Sequence, residues 1–211
     1  MAHTGDKFDA VELLQTVQID PAVQILARAF QDDPTSSFLV PDPKRRATML
    51  AWSFGVIIRY GLLHGEVYIT ANLDGVACWL PPGKTNPTTW GLLRAGMYLA
   101  PLKVGWDGVG RMLTFVQYTD RVHEHRAPFP HWYLAVLGVE PARQGQGVGT
   151  RLIDTVRVRA DAAGIPCYLE TQNPRNVPFY ENRGFKVVDH GPISKGGPWS
   201  WAMLREPGSG I

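Results

Sequence analysis

The chain has 211 residues, of which 45% are hydrophobic and 19% charged, and this composition excludes a disordered or low-complexity protein. Its 21 lysines and arginines against 19 aspartates and glutamates give a net charge of +2, which argues against a dedicated nucleic-acid binder. A folded chain of this mass buries about 70% of its extended surface, which is enough for a substantial core.

The first ten residues are polar and mixed in charge, so the sequence predicts no signal peptide. The most apolar stretch, residues 49–63, is interrupted by Arg59 and is too short to span a bilayer. Two cysteines, Cys78 and Cys167, are interpreted as small buried hydrophobes in a reducing compartment rather than as a disulfide or a metal pair. We therefore expect a cytoplasmic protein without membrane or nucleic-acid partners.

The first eighty residues predict two helices and three strands. Asp20 is a typical N-cap with Pro21 at the first helical position, so a helix should run towards Phe30 and stop at residues 32–34. A second helix should follow Asp42, with apolar residues so dense that it is buried on more than one side. The predicted strands are residues 12–18 and the two arms of a hairpin, residues 66–70 and 76–80.

An interposed, mainly helical segment should occupy residues 84–127, with helices at about 89–99 and 108–125. Aromatic residues concentrate in and around this segment: Trp79, Trp90, Tyr98, Trp106 and Tyr118. They could form a lid over an apolar or aromatic amine, but ordinary core packing is the favoured interpretation for each single residue.

The last third of the chain predicts a β-α-β unit. Two strands, Trp132–Val139 and Cys167–Thr171, enclose an amphipathic helix over residues 147–163, so they should run parallel. A short helix over residues 176–182 and an antiparallel pair of strands should follow. The sequence therefore predicts an α/β (α+β) fold with a mixed sheet.

A glycine-rich turn joins the first of these strands to the helix. Glycines at positions 145, 147 and 149 let the backbone approach a ligand closely, and the positive end of the helix dipole points at the same place. This arrangement predicts an anion site, most naturally for a pyrophosphate, to which Arg143 and Arg151 could add charge.

Two common phosphate-binding folds fit this turn less well. A P-loop needs lysine and then serine or threonine after its last glycine, whereas Gly149 is followed by Thr150 and Arg151. A dinucleotide-binding fold stays open as an alternative, because Glu170 lies about 20 residues further on. The spacing Gly-x-Gly-x-Gly and the lack of further β-α-β units argue against it.

Two motifs together resemble the GNAT N-acetyltransferase superfamily. Gln144-x-x-Gly147-x-Gly149, preceded by Val139-x-Pro141, is similar to its acyl-CoA loop, and residues 169–185 are similar to its second signature, an asparagine followed by Tyr-Glu-x-x-Gly-Phe. Within the superfamily the chain looks most like the puromycin-type antibiotic acetyltransferases. The resemblance implies one GNAT domain over residues 1–211, with splayed parallel strands in a mixed sheet flanked by helices and a helical insertion at about 84–127.

The resemblance also implies acetyl-CoA as cosubstrate, bound where the two parallel strands splay apart. The backbone of Leu137, Gly138 and Val139 would pair with the pantetheine arm. The other cofactor-binding residues implied are Gln144, Gly145, Gln146, Gly147, Val148, Gly149, Thr150, Asn173 and Asn176. For Asn173, an Asx turn before Pro174 is an alternative role that does not exclude a ligand contact.

The chemistry implied is direct attack of an amine on the thioester. Tyr180 matches the family's general acid, since a phenol of pKa ~10 can protonate a departing thiolate of pKa ~8.5 or above. Glu170 is the candidate base, with a surface charge or a bracing hydrogen bond as the alternative. His123, His125 and His131 are more remote candidates for the base. His123 and His125 have no evident third ligand beside them, so the sequence predicts no metal site.

The function expected is therefore acetyl transfer from acetyl-CoA to a primary amine of a small molecule, in a ternary complex. A protein or peptide N-terminus is the alternative acceptor. Two other classes remain open, a dinucleotide-dependent oxidoreductase and a non-catalytic acyl-CoA sensor. A homodimer is also left open.

Overall fold

A mixed sheet of seven strands organises residues 10–209, the part of the chain that the computed structural model describes. The strands are β1 (Val11–Leu13), β2 (Glu66–Thr70), β3 (Gly75–Leu80), β4 (Trp132–Val139), β5 (Cys167–Thr171), β6 (Lys186–Pro192) and β7 (Trp199–Arg205). The helices are α1 (Ile19–Ala29), α2 (Pro34–Leu39), α3 (Pro43–His64), α4 (Thr89–Ala95), α5 (Ala100–Arg126), α6 (Val148–Ala163) and α7 (Val177–Glu181).

The strands follow the order β1-β2-β3-β4-β5-β7-β6. Among the described pairs only β4 and β5 run parallel, as the β-α-β unit predicts. Their pairing covers only residues 132–134 and 167–169, and beyond it the two strands separate. A mostly antiparallel sheet excludes the doubly wound dinucleotide fold that the glycine turn left open.

Helices cover both faces of the sheet. Helices α1 and α3 pack on one face, and α6 packs on the other through Leu152, Ile153 and Val156, which are fully buried. The predicted amphipathic helix of the last third is thus confirmed. Beside the parallel pair, Cys78 faces Val136 while Trp79 faces Leu134, so β4 carries one extra residue there, a β-bulge that bends the strand.

The start of the chain differs from the prediction for residues 12–18. The strand ends at Leu13, and a 3-10 turn over residues 16–18 leads directly into α1. Gln15 and Gln18 cap this turn reciprocally, so Gln18 stands at the N-cap of α1 and Asp20 lies inside its first turn. Asp20 is therefore not the N-cap that the sequence suggested, because the turn already supplies the helix start.

Two aspartates begin the next helices. Asp42 accepts hydrogen bonds from the backbone of α3, which confirms it as the N-cap of a helix that is buried on more than one side. Asp33 accepts a 2.9 Å hydrogen bond from the Thr35 N–H and so begins α2. From the sequence we predicted only the end of a helix at residues 32–34. The Asp-Asp-Pro pattern ends one helix and also caps the next, and the second role was missed.

The interposed segment is helical, as predicted, with α5 starting earlier than expected and kinked at Gly105, whose φ is 71°. Trp79 is core, as the favoured interpretation had it. Trp90, Tyr98 and Trp106 are neither core nor lid, because they are exposed and do not line the cleft described below. The small residues of this segment take the inward positions instead.

Both cysteines are buried and free, as predicted. Within residues 10–209 no helix combines the length and the hydropathy that crossing a bilayer requires. The polar N-terminal residues 1–9, on which the signal-peptide prediction depends, lie outside the described residues. The division of the chain into one domain with an insertion stays a prediction.

Candidate active site

A cleft of about 510 Å³ opens where β4 and β5 separate. The end of β4, the glycine turn, the junction of α1 with α2 and the segment 173–183 enclose it. The structure brings most of the predicted cofactor residues to this cleft: Leu137, Gly138, Val139, Gln144, Gly145, Gly147, Val148, Gly149, Thr150, Asn173 and Asn176. Gln146 is exposed beside them in the turn.

The glycine turn is held by its own side chains. The Gln144 amide donates to the Val139 carbonyl (3.2 Å), and the Gln146 amide donates to the Ala142 carbonyl (3.1 Å). Gly145 and Gly147 have φ angles of 76° and 81°, which side chains rarely tolerate. The turn therefore aims the N-terminus of α6 at the cleft.

Two further glycines allow close packing instead. A Cβ at Gly149 would lie 3.0 Å from Phe179 Cζ, so this glycine lets α6 approach α7. A Cβ at Gly138 would lie 2.5 Å from Leu26 Cδ2. The bare backbone at 138 thus allows α1 to pack against β4, and this contact brings Phe30 to the cleft.

One edge of β4 faces the cleft beyond the parallel pairing. The Glu140 N–H donates to the Asp74 carbonyl (2.7 Å), on the side of β3. Since backbone groups alternate along a strand, the N–H groups of Leu137 and Val139 face the cleft. An extended amide chain could pair with this edge.

The two predicted asparagines brace the loop after β5. Asn173 Oδ1 accepts from the Arg175 N–H (3.1 Å), which is the Asx turn that the sequence offered as an alternative. Asn176 Nδ2 donates to Thr171 Oγ1 (3.3 Å). Both residues also line the cleft, so these bonds position them without excluding a ligand contact.

Arg183 is a cleft residue that the sequence reasoning missed. Its guanidinium donates to Thr150 Oγ1 and to the Phe179 carbonyl, and it lies 3.6 Å from the centroid of the Phe179 ring. Burial lowers its pKa, yet the group stays charged near neutral pH. Its place inside the second motif, between Tyr-Glu-Asn and Gly-Phe, was the available signal.

Tyr180 is buried at the boundary of the cleft. Its ring makes edge contacts with Phe179 and Phe185, at centroid distances of 5.1 and 5.9 Å. Burial raises the pKa of its hydroxyl well above the ordinary value, and Arg183 opposes this only in part. The phenol therefore keeps its proton through the neutral range and is a donor.

Glu170 extends from β5 on the face covered by α5. Its Oε2 accepts a 2.8 Å hydrogen bond from the Tyr133 hydroxyl, and the Tyr168 hydroxyl approaches the same carboxylate without hydrogen-bond geometry. Burial raises the pKa of Glu170 to about 7, and the bond from Tyr133 opposes this rise. A carboxyl of this pKa can take up and release a proton near neutral pH.

Glu170 and Tyr180 line one small cavity of about 50 Å³ at the base of the splay. Asp33 lines the same cavity, and Asp33 and Tyr180 also line the larger cleft, so the two spaces adjoin. Burial raises the pKa of Asp33, against the hydrogen bond from Thr35. The sequence reasoning missed Asp33 because a helix cap explains an aspartate at this position equally well.

The predicted remote histidines line neither the cleft nor the small cavity. His123 Nε2 and His131 Nε2 are 2.7 Å apart, and the His123 ring stacks on Tyr168 with an angle of 9° between the planes. His125 is exposed. Over residues 10–209 no cluster of three or more histidine, cysteine or acidic side chains could hold a metal ion.

Comparison with known proteins agrees with this geometry. The profile of the acetyltransferase (GNAT) family matches residues 67–185. An uncharacterized N-acetyltransferase of Schizosaccharomyces pombe is 27% identical over 184 residues, 83% of this chain and 74% of that protein.

Two solved structures share the fold. One is a histone acetyltransferase HPA2 and related acetyltransferase of Corynebacterium glutamicum, with 22% identity, a TM-score of 0.65 and coverage of 96% of this chain and 98% of that one. The other is a polyamine N-acetyltransferase of Drosophila melanogaster that catalyses the formation of N-acetylagmatine. It has 13% identity, a TM-score of 0.58 and coverage of 93% and 99%.

Proposed function

The chain belongs to the acetyltransferase (GNAT) family, and we propose that it transfers an acetyl group from acetyl-CoA to a primary amine of a small molecule. The observation that carries this proposal is the cavity where Glu170, with a pKa of about 7, and the protonated Tyr180 face the same space. An acyl transfer to an amine needs one group that accepts a proton and one that donates a proton.

The larger cleft suits acetyl-CoA. The left-handed glycines 145 and 147 shape a turn whose N–H groups suit a pyrophosphate, and the free edge of β4 suits the amides of a pantetheine arm. Arg183 supplies positive charge to the cleft, while Arg28 and Arg143 line it in ion pairs with Glu140 and Asp74. When bound, acetyl-CoA supplies the activated thioester carbonyl.

In the proposed reaction Glu170 accepts the proton that the ammonium group of the acceptor must lose before its nitrogen attacks. The amine and the acetyl donor are held together in a ternary complex, so no acetylated side chain is required. N–H groups on the cleft edge of β4 stabilise the negative charge that develops on the carbonyl oxygen. Tyr180 donates its hydroxyl proton to the departing sulfur, and the second proton, which the attacking nitrogen loses as the amide forms, restores the Tyr180 hydroxyl.

Two carboxyl groups support an amine as acceptor. Asp33 and Glu170 line the small cavity from different elements, and a cationic amine there would be attracted by either carboxylate. The cavity of about 50 Å³ admits a small group rather than a bulky one. The Drosophila neighbour, a polyamine N-acetyltransferase that catalyses the formation of N-acetylagmatine, has the same fold and is compatible with a small amine acceptor.

The retained proton donor and acceptor also favour catalysis over acyl-CoA sensing. A sensor needs the phosphate turn and the strand edge, but it needs neither a carboxyl of pKa about 7 nor a phenol in the same cavity. The puromycin-type likeness stays a prediction about the closest branch of the family.

The test is an acceptor screen with the purified protein and acetyl-CoA. Polyamines, arylalkylamines, aminoglycosides and peptides with free N-termini are compared by the release of CoA thiol, and mass spectrometry identifies the acetylated product. We expect a small primary amine to be acetylated and acetyl-CoA to raise the melting temperature. Acetylation of peptides alone would overturn the acceptor assignment, and failure to bind acetyl-CoA would overturn the proposal as a whole.

A further inference from the structure

The segment from α4 to the start of α5 exposes five large apolar side chains. Trp90, Tyr98, Leu102 and Trp106 are 66–83% exposed, and Leu93 is 38% exposed. Leu92, Met97 and Leu99 of the same segment pack half-buried against the core. The fully buried positions of the segment are small residues: Gly91, Ala95, Ala100, Val104 and Gly108. We call the five large residues the outer face.

The segment lies along α3, a helix of 22 residues and therefore about 33 Å long. Gly91 lies against Tyr60, and the carbonyl of Ala95 accepts a 2.9 Å hydrogen bond from Arg59. Gly105 lies beside Arg45 towards the other end of α3. The segment thus contacts α3 near both of its ends and leaves the outer face exposed.

The charges around this surface are mainly positive, with the exposed Asp107, directly after Trp106, as an acidic exception. Residues 43–65 and 81–106 contain no aspartate or glutamate, and Asp42 and Asp107 are acidic residues that bound these stretches. The exposed cations in the two stretches are Lys44, Arg45, Arg59, Lys84, Arg94 and Lys103. Arg94 and Lys103 follow Leu93 and Leu102 directly, so charge and apolar area alternate along the outer face.

We propose that the outer face docks on the surface of a bilayer that contains anionic phospholipid. Tryptophan and tyrosine favour the boundary between headgroups and acyl chains, and leucines add apolar area to be buried there. Arginine and lysine beside them are attracted to anionic headgroups. The inference replaces the expectation of no membrane partner, which depended on the predicted lack of a signal peptide and of a stretch long enough to span a bilayer, and it is independent of the proposed reaction.

A second copy of the chain is the less favoured occupant. Pairing two outer faces would bring exposed cations of both copies together with no carboxylate inside either stretch to balance them. A nucleic acid would match the cations, but it would leave Leu93 and Leu102 without an apolar partner.

The experiment is co-sedimentation of the full chain with sucrose-loaded vesicles. One set contains phosphatidylcholine alone, and the other contains about 30% phosphatidylglycerol, each at about 0.1 M and 0.5 M salt. We expect binding to the anionic vesicles at low salt, weaker binding at high salt and at least about tenfold weaker binding to phosphatidylcholine.

Three variants assign the binding to the outer face. The double variant Leu102→Ser with Trp106→Ser removes apolar area, Arg94→Glu with Lys103→Glu reverses charge, and Val158→Ser alters an exposed apolar residue on α6 as the control. We expect the two double variants to bind at least about tenfold more weakly and the control to bind like the parent. A circular dichroism spectrum and a melting temperature close to those of the parent show that each variant is folded.

Three results would overturn the inference. The first is failure of the parent chain to bind anionic vesicles. The second is equal binding by the parent and both double variants. The third is a dimer, measured by light scattering without lipid, that the double variants convert to a monomer, because the outer face would then belong to a second copy.

Discussion

Glu170 accepts a 2.8 Å hydrogen bond from Tyr133, a residue on the neighbouring strand of the parallel pair. The bond lies at the point where the two strands separate, since Leu134 and Leu169 are the last paired residues. It therefore links the geometry of the splay to the proton affinity of the carboxyl group.

Tyr133→Phe should shift the pH dependence of the reaction upwards. The hydroxyl lowers the pKa of Glu170, so its removal raises that pKa above about 7. The acidic limb of kcat/KM against pH reports the ionisation of the base in the free enzyme and should move to higher pH. Tyr68→Phe, which removes a hydroxyl bonded to Glu66, is the control and should leave the limb in place. An unchanged limb in Tyr133→Phe would show that Glu170 is not the base.

Glu170→Gln should lower kcat/KM by about 10²- to 10⁴-fold, the range of a general base, while acetyl-CoA still raises the melting temperature. The amide keeps the shape of the side chain but accepts no proton. Glu181→Gln is the control, because Glu181 is exposed next to Tyr180. Equal losses in both variants would point to a change of local structure.

Tyr180→Phe should keep the ring contacts with Phe179 and Phe185 and remove only the proton donor. We expect kcat to fall by about 10²-fold with little change in acetyl-CoA affinity. The loss of kcat should be smaller for acyl donors with a better leaving group, because that group needs less protonation to depart. A loss confined to KM would instead assign the hydroxyl to substrate binding. Tyr98→Phe, on the exposed outer face, is the matched control.

Gly147→Val should abolish most of the melting-temperature increase produced by acetyl-CoA. A Cβ at position 147 has room, with Arg151 Nη1 at 3.6 Å as its near neighbour, so the cost comes from the φ of 81°. A β-branched residue there strains the backbone or reshapes the turn that would hold the pyrophosphate. Gly110→Ala, on α5 with open space and no positive φ, controls for the loss of a glycine. A variant that folds and binds acetyl-CoA like the parent would falsify the assignment of the phosphate turn.

The pair His123 and His131 should make stability depend on pH. Burial, followed by the charge of His131, lowers the pKa of His123 to about 4, and burial also lowers the pKa of His131. Well above pH ~6.5 both rings are neutral in the folded and unfolded states. As the pH falls towards 4, the unfolded chain takes up protons that the two folded rings refuse, so the pair contributes a decline in stability. Glu170 and Asp33, whose pKa values burial raises, contribute in the opposite direction over the same range.

Urea midpoints between pH 7.5 and 4.5, compared between the parent chain and a variant, isolate the contribution of the histidines. His123→Phe should keep the stacking on Tyr168 and make the chain more stable at low pH, relative to pH 7.5, than the parent is, because one of the two groups no longer titrates. His125→Phe alters an exposed ring and should leave the pH dependence of the parent unchanged. The same pH dependence in His123→Phe and in the parent would contradict the prediction.

The last third of the chain was predictable because its signals are local. The glycines at 145 and 147 need unusual dihedrals, and the short β-α-β connection leaves one way to pair its strands. Tyr180 could be identified from its motif, and the structure places it beside Glu170 as a pair lining one cavity.

Other features depend on contacts that no local pattern contains. Asp33 gives the same N-cap signal in the sequence whether or not its carboxyl group lines a cavity. The packing of α1 on Gly138, which the sequence does not encode locally, brings Asp33 to the small cavity. The exposure of Trp90 and Trp106 follows from the small residues that dock their segment on α3. Hydrophobicity alone placed such residues in the core.

The separation of β4 and β5 also affects the solubility of the protein before a ligand binds. From Ala135 to Val139, β4 has an edge that no described strand covers, and an open edge is a template for pairing with other chains. A bound pantetheine arm would occupy that edge and stabilise the native state by mass action. The cellular supply of acyl-CoA would then govern the solubility of the protein as well as its turnover.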